Sequence, residues 1–119
     1  MKENRKTRYT KMAIQDSLFE LMGKKPIEKI TITELCKNAD INRTTFYAHY
    51  SDQYDLLSKI ENETISWAKE AISNLTIKNN KHENINMLEG IFQYIVENSK
   101  NLKILMEYLF HLQEMKIQT

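Results

Sequence analysis

The chain has 119 residues, 41% of them hydrophobic, and 17 Lys+Arg against 16 Asp+Glu for a formal net charge of +1. That length supports one compact domain, or one small domain with an appendage, and the apolar content suffices for a core without staples. A single cysteine excludes an internal disulfide framework and any multi-cysteine metal site, and no apolar run approaches the roughly 18 residues of a membrane span, so a soluble cytoplasmic protein is expected.

Only two glycines, Gly23 and Gly90, and one proline, Pro26, argue against many tight hairpins, whose turns need φ > 0 or a preset φ. An all-α chain is expected. The first periodic stretch, Thr7 to Met22, sets Ile14, Leu18, Leu21 and Met22 on one stripe and predicts an amphipathic helix. Gly23 suits its C-terminal cap, and Lys24-Lys25-Pro26 follows as a loop. Ile30-Thr-Ile-Thr alternates like a strand, but Thr31 and Glu34 stand at capping-box spacing, so a short helix from Ile32 to about Ala39 is preferred. Asp40-Ile41-Asn42 breaks the pattern, and Asn42 is a good N-cap for a third short helix, Arg43 to about Tyr50.

After Ser51-Asp52, apolar positions from Tyr54 through Leu57, Ile60, Trp67 and Ile72 to Leu75 recur at three- and four-residue steps, predicting a long helix of about 22 residues. Lys78 to Asn84 reads as a polar linker. A fifth helix, about Ile85 to Asn98, should turn Leu88, Ile91, Phe92 and Ile95 inward, and a sixth should run onward from about Asn101.

Charge is unevenly spread along these elements. Residues 1–53 carry ten Lys/Arg against seven Asp/Glu (+3), and residues 54–119 seven against nine (−2). Lys2, Arg5, Lys6, Arg8 and Lys11 face only Glu3, a basic arm able to meet an anionic polymer, although a frayed, solvated terminus explains most such runs.

Two short helices across a tight turn make a helix-turn-helix, whose second member enters the DNA major groove. In that second helix Arg43, Thr44, Thr45, Tyr47 and His49 supply a donor fork, two hydroxyls, a phenol and an imidazole. Arginine can read the O6 and N7 of guanine, threonine can touch a thymine methyl or a phosphate, and tyrosine and histidine can donate to phosphate oxygens. Phe46 and Tyr50, four apart, can anchor the opposite face in the core.

Residues 30–57 resemble the DNA-binding signature of TetR-family transcriptional regulators, most specifically in Thr44-Thr-Phe-Tyr-x-His-Tyr50 followed by Asp55-Leu-Leu57. The resemblance implies a three-helix helix-turn-helix DNA-binding domain over residues 1–53. It further implies a helical dimerisation and effector region over 54–119, beginning with a long connecting helix and two further helices. It also implies a homodimer on a palindromic operator, usually a repressor released by a small-molecule effector, here unidentified. By position, Arg43, Thr44 and Thr33 fall where the family reads bases or faces the DNA. Thr31, Thr45, Tyr47 and His49 fall at backbone phosphates, with Lys6 and Arg8 assigned to phosphate from the basic arm. Gln53 stands where the family often has lysine, so one phosphate contact loses its charge, with a salt slope shallower by about one ion. Asp40 replaces the turn glycine and tolerates the left-handed conformation better than most residues. The C-terminal region is short or truncated against the family, and Ile104, Leu105, Tyr108, Leu109, Leu112 and Met115 form an apolar stripe with no further chain to cover it.

No cofactor or metal is expected: His82 and His111 lack ligand spacing, and Cys36 reads as a small buried hydrophobe. Catalysis would need a nucleophile with its base, paired carboxylates or a glycine-rich phosphate loop, and none of these patterns occurs. The serious rival keeps the fold but changes the class. In it the chain is a helical interaction protein, an antagonist or coactivator that pairs with another regulator without binding DNA.

Overall fold

The computed structural model describes residues 3–77 and 81–117, with side chains described for 3–74 and 85–110. The architecture is all-α. In chain order it comprises α1 (Arg5–Met22), a single 3₁₀ turn (Ile27–Lys29), α2 (Ile32–Ala39), α3 (Arg43–Tyr47), α4 (Gln53–Ile77), α5 (Lys81–Glu97) and α6 (Ser99–Ile117). Two compact units divide between Ile60 and Glu61. Among the described residues no helix is long and apolar enough to cross a membrane.

In the first unit, α1 starts earlier than its apolar stripe because Asn4 caps it, the side-chain oxygen accepting from the Thr7 N–H at 2.8 Å. It ends at Gly23, the expected C-terminal cap, in ordinary right-handed geometry with φ −69°. The buried face is Ile14, Ser17, Leu18 and Phe19, whereas Leu21 and Met22 are half-buried. Ser17 explains the rotation of that face. Its hydroxyl donates to the Leu35 carbonyl at 3.0 Å and accepts from the Asn38 amide at 3.1 Å, which also donates to Glu20 at 3.2 Å. This fixes α1 against α2 through a satisfied buried polar link.

Helix α2 has the expected bounds. Thr31 caps it, accepting from the Glu34 N–H at 3.1 Å, but the Glu34 carboxylate pairs with Lys25 instead of returning to the cap, so half of the capping box forms. The loop before α2 holds the 3₁₀ turn, which buries Ile27. Asp40 then adopts φ 56°, ψ 50°, and among the described residues no other non-glycine has positive φ. Its N–H reaches the Lys37 carbonyl at 3.3 Å and the Ile41 N–H reaches Cys36 at 3.0 Å, reversing the chain toward α3. Because the left-handed conformation crowds Cβ, Asp40→Gly is expected to keep or raise stability and Asp40→Ala to lower it by about 1 kcal/mol. Thermal melting checks this, and an alanine variant as stable as the glycine variant would contradict it.

Helix α3 is shorter than expected. After Tyr47 the chain tightens, the His49 and Tyr50 N–H groups both reaching the Phe46 carbonyl at 3.0 Å, and this returns Tyr50 to the core. Phe46, Ile14, Leu18 and Leu56 are fully buried, with Ile30, Leu35 and Leu57 almost so. Asp52 starts α4 by accepting from the Asp55 N–H at 2.7 Å, and the 25-residue helix is about 37 Å long.

In the second unit, Lys81–Asn84 belong to α5, so the expected linker is shorter than its polar composition suggests, and residues 78–80 lie outside those described. Trp67 of α4 stacks on Tyr94 of α5 at 4.0 Å between ring centroids. The expected inward face of α5 is largely not inward: Leu88, Phe92 and Ile95 are exposed. The apolar arc of this helix is wider than one stripe, and the half carrying Met87, Ile91 and Tyr94 is half-buried. On α6, Leu105 is buried by its own chain, Ile104 and Tyr108 are half-buried, and Met106, Leu109 and Phe110 are exposed. The expected stripe is therefore rotated, and the Leu112 and Met115 side chains lie outside those described.

Candidate nucleic-acid interface

The geometry of α3 follows from three local devices. Asn42 caps it, one oxygen accepting both the Thr45 N–H at 2.7 Å and the Thr45 hydroxyl at 2.8 Å. Phe46, with no exposed surface, and Tyr50, at 4%, pin one face in the core. The other face is thereby turned outward: Arg43 and Thr44 are exposed and Tyr47 is 48% exposed.

On that outer face Arg43 and Tyr47, one helical turn apart, meet. The Arg43 guanidinium donates to the Tyr47 hydroxyl at 3.3 Å and its carbon lies 5.9 Å from the ring centroid. This bond moves the arginine pKa further above its already high ordinary value. Burial pushes the Cys36 thiol up, and the Arg43 charge partly opposes it, consistent with an inert core cysteine.

Thr45 is half-buried, and its hydroxyl proton goes to Asn42 in this structure. His49 is half-buried, its ring 6.2 Å from that of Tyr50. Thr31 and Thr33 are exposed at the start of α2, Thr31 serving as its cap. Lys6 and Arg8 are exposed on the first turns of α1, so they belong to a helix and not to an extended arm, and Lys11 pairs with Glu3. No described hydrogen bond or ion pair joins Lys6 or Arg8 to α2 or α3.

Two residues matter here that sequence patterns did not single out for these roles. Lys59 donates to the His49 carbonyl at 3.1 Å and to Asp55 at 3.2 Å, and its ammonium lies 5.4 Å from the Tyr50 ring centroid. It ties the stretch that follows α3 to α4. The Ser51 N–H, and after it Lys59, hold the Asp55 carboxyl below its ordinary value against a desolvation cost. Gln53 is half-buried and donates to the Ile30 carbonyl at 2.9 Å, a structural bond between the start of α4 and the start of α2. Neither contact has a local signal, because the partners lie ten and 23 positions away.

No family model matches the sequence, and no curated protein is similar to it in sequence. Among solved structures the chain is similar to the fatty acid degradation regulator FadR from Bacillus halodurans. The two are 14% identical, the match covers 99% of this chain and 70% of that one, and the TM-score is 0.56. At that identity the likeness is one of fold alone.

Proposed function

We propose that the chain is a transcriptional regulator of TetR type that binds a palindromic double-stranded DNA operator as a homodimer and represses from it. The observation that carries this is the division of α3 into a face locked in the core by Phe46 and an exposed face of Arg43, Thr44 and Tyr47. The fold likeness to FadR, a fatty acid degradation regulator, supports the same class. In this reading Arg43, Thr44 and Thr33 read bases, and Thr31, Thr45, Tyr47, His49, Lys6 and Arg8 meet phosphates. Each subunit places α3 in successive major grooves about 34 Å apart.

Selection from a random pool of double-stranded DNA tests it. An inverted repeat with half-sites one helical turn apart is the expected product, and a pool with no enriched sequence would refute the reading. Arg43→Ala is expected to cost about 1–3 kcal/mol on the selected site and relax one base position, whereas His49→Ala weakens specific and random DNA alike. Equal loss on all sequences for Arg43→Ala, measured by titration, would remove its base-reading role.

The second unit is assigned to pairing and to a small-molecule effector. A cleft of about 370 Å³ between α4 and α5, lined by Trp67, Asn74, Met87 and Ile91, has the size of a ligand site. A larger cleft of about 720 Å³ runs along Ile95, Leu102, Met106 and Phe110 between α5 and α6, and it is almost wholly apolar. Lys103 and Glu107 edge this cleft one turn apart, so a two-fold copy of the same face can set each charge against its opposite. The same apolar face supports the rival, an interaction protein that pairs with another regulator. Binding of the pure chain to genomic DNA fragments at low salt separates the two, since absence of binding there favours the rival.

A further inference from the structure

We propose that Tyr47 is a positioning residue for Arg43, and that its hydroxyl sets how sharply Arg43 discriminates its base. The inference rests on the DNA-reading role proposed above and deepens it.

An arginine at the start of a recognition helix is long and rotamer-rich, and every conformer it loses on binding weakens the complex. In this chain Arg43 is already restrained before DNA arrives. The guanidinium donates to the Tyr47 hydroxyl at 3.3 Å, and the aromatic ring stands beside the same group at 5.9 Å. The four-residue spacing on one helix face makes the pair possible. Tyr47 is itself held from below, since its ring meets that of Phe46 edge-on at 5.6 Å and 85°, and Phe46 has no exposed surface. Restraint therefore passes from the core through Phe46 and Tyr47 to Arg43.

The hydrogen-bond inventory is compatible with both partners of Tyr47. Its oxygen accepts from Arg43, which leaves the phenolic proton to donate to a phosphate oxygen and leaves the remaining guanidinium donors for a base edge. One hydroxyl thus links backbone register to base reading. A phosphate ligand alone would strengthen all sequences equally, whereas a positioning group changes the preference among sequences.

Tyr47→Phe keeps the ring and its packing on Phe46 and removes only the oxygen, so an unchanged melting temperature is expected. The probe is the DNA that the wild-type chain selects from a random double-stranded pool, titrated beside single-base variants and random-sequence DNA. The expected result is a loss of about tenfold in preference at the base that Arg43→Ala relaxes, with a smaller loss on random DNA. In the Arg43→Ala background the Tyr47→Phe change should no longer alter base preference. An even loss on selected and random DNA with base preference intact would overturn the proposal and leave Tyr47 a phosphate ligand. Independent, additive effects on preference from the two substitutions would overturn it as well. If the wild-type chain selects no sequence, the DNA-reading role falls and this proposal falls with it, an outcome distinct from selection followed by an even loss.

Discussion

Phe46→Ala is expected to unfold the helix-turn-helix unit at ambient temperature. Phe46 is fully buried and its ring lies 5.6 and 5.7 Å from those of Tyr47 and Tyr50, centroid to centroid. Truncating a buried phenylalanine costs about 3–5 kcal/mol, from lost apolar burial and the cavity left behind. The first unit spans about 60 residues, for which a total stability of roughly 3–9 kcal/mol is ordinary. The loss is therefore comparable to everything that holds the unit together, and the proposed DNA binding should disappear with the fold. Urea denaturation followed by helical circular dichroism measures it. A loss below 1 kcal/mol would show that the ring is not the anchor of α3.

The second large effect is expected at the apolar face of α5 and α6. If the proposed homodimer forms through this face, Met106→Glu together with Phe110→Glu should convert it to a monomer, because both side chains are exposed on one chain and line the larger cleft. Two like charges on each of two apposed copies would face each other across a desolvated surface, an arrangement that costs several kcal/mol. Operator affinity should fall by about 10²–10⁴, the usual gain from tethering two half-site contacts. Sedimentation at micromolar concentration decides the matter: a wild-type chain that stays monomeric refutes the proposed dimer, and a double variant that stays dimeric places the interface elsewhere.

The parts of the fold legible from sequence are those fixed by neighbours. Thr31 and Asp40 bracket α2 because a cap and a left-handed turn are made by residues within four positions, and Asn42 starts α3 for the same reason. The assignment of Phe46 and Tyr50 to the core was equally legible from their spacing against the polar residues between them. What periodicity cannot say is what covers an apolar stripe. Leu88, Phe92 and Ile95 are apolar at helical spacing yet exposed, since the half-buried stripe of α5 is the one through Met87, Ile91 and Tyr94. Likewise Ser17, Gln53 and Lys59 take their roles from Leu35, Ile30 and His49, partners that only the folded chain brings near.

The placement of the chain's single tryptophan has an optical consequence. Trp67 lies in the second unit, stacked on Tyr94, while Tyr9, Tyr47, Tyr50 and Tyr54 lie in the first. Emission excited at the red edge of the absorption band therefore reports on the packing of α4 against α5 and is blind to the helix-turn-helix. Quenching or shift of that emission, set beside the far-ultraviolet helical signal of the whole chain, gives two separate spectroscopic windows without any label.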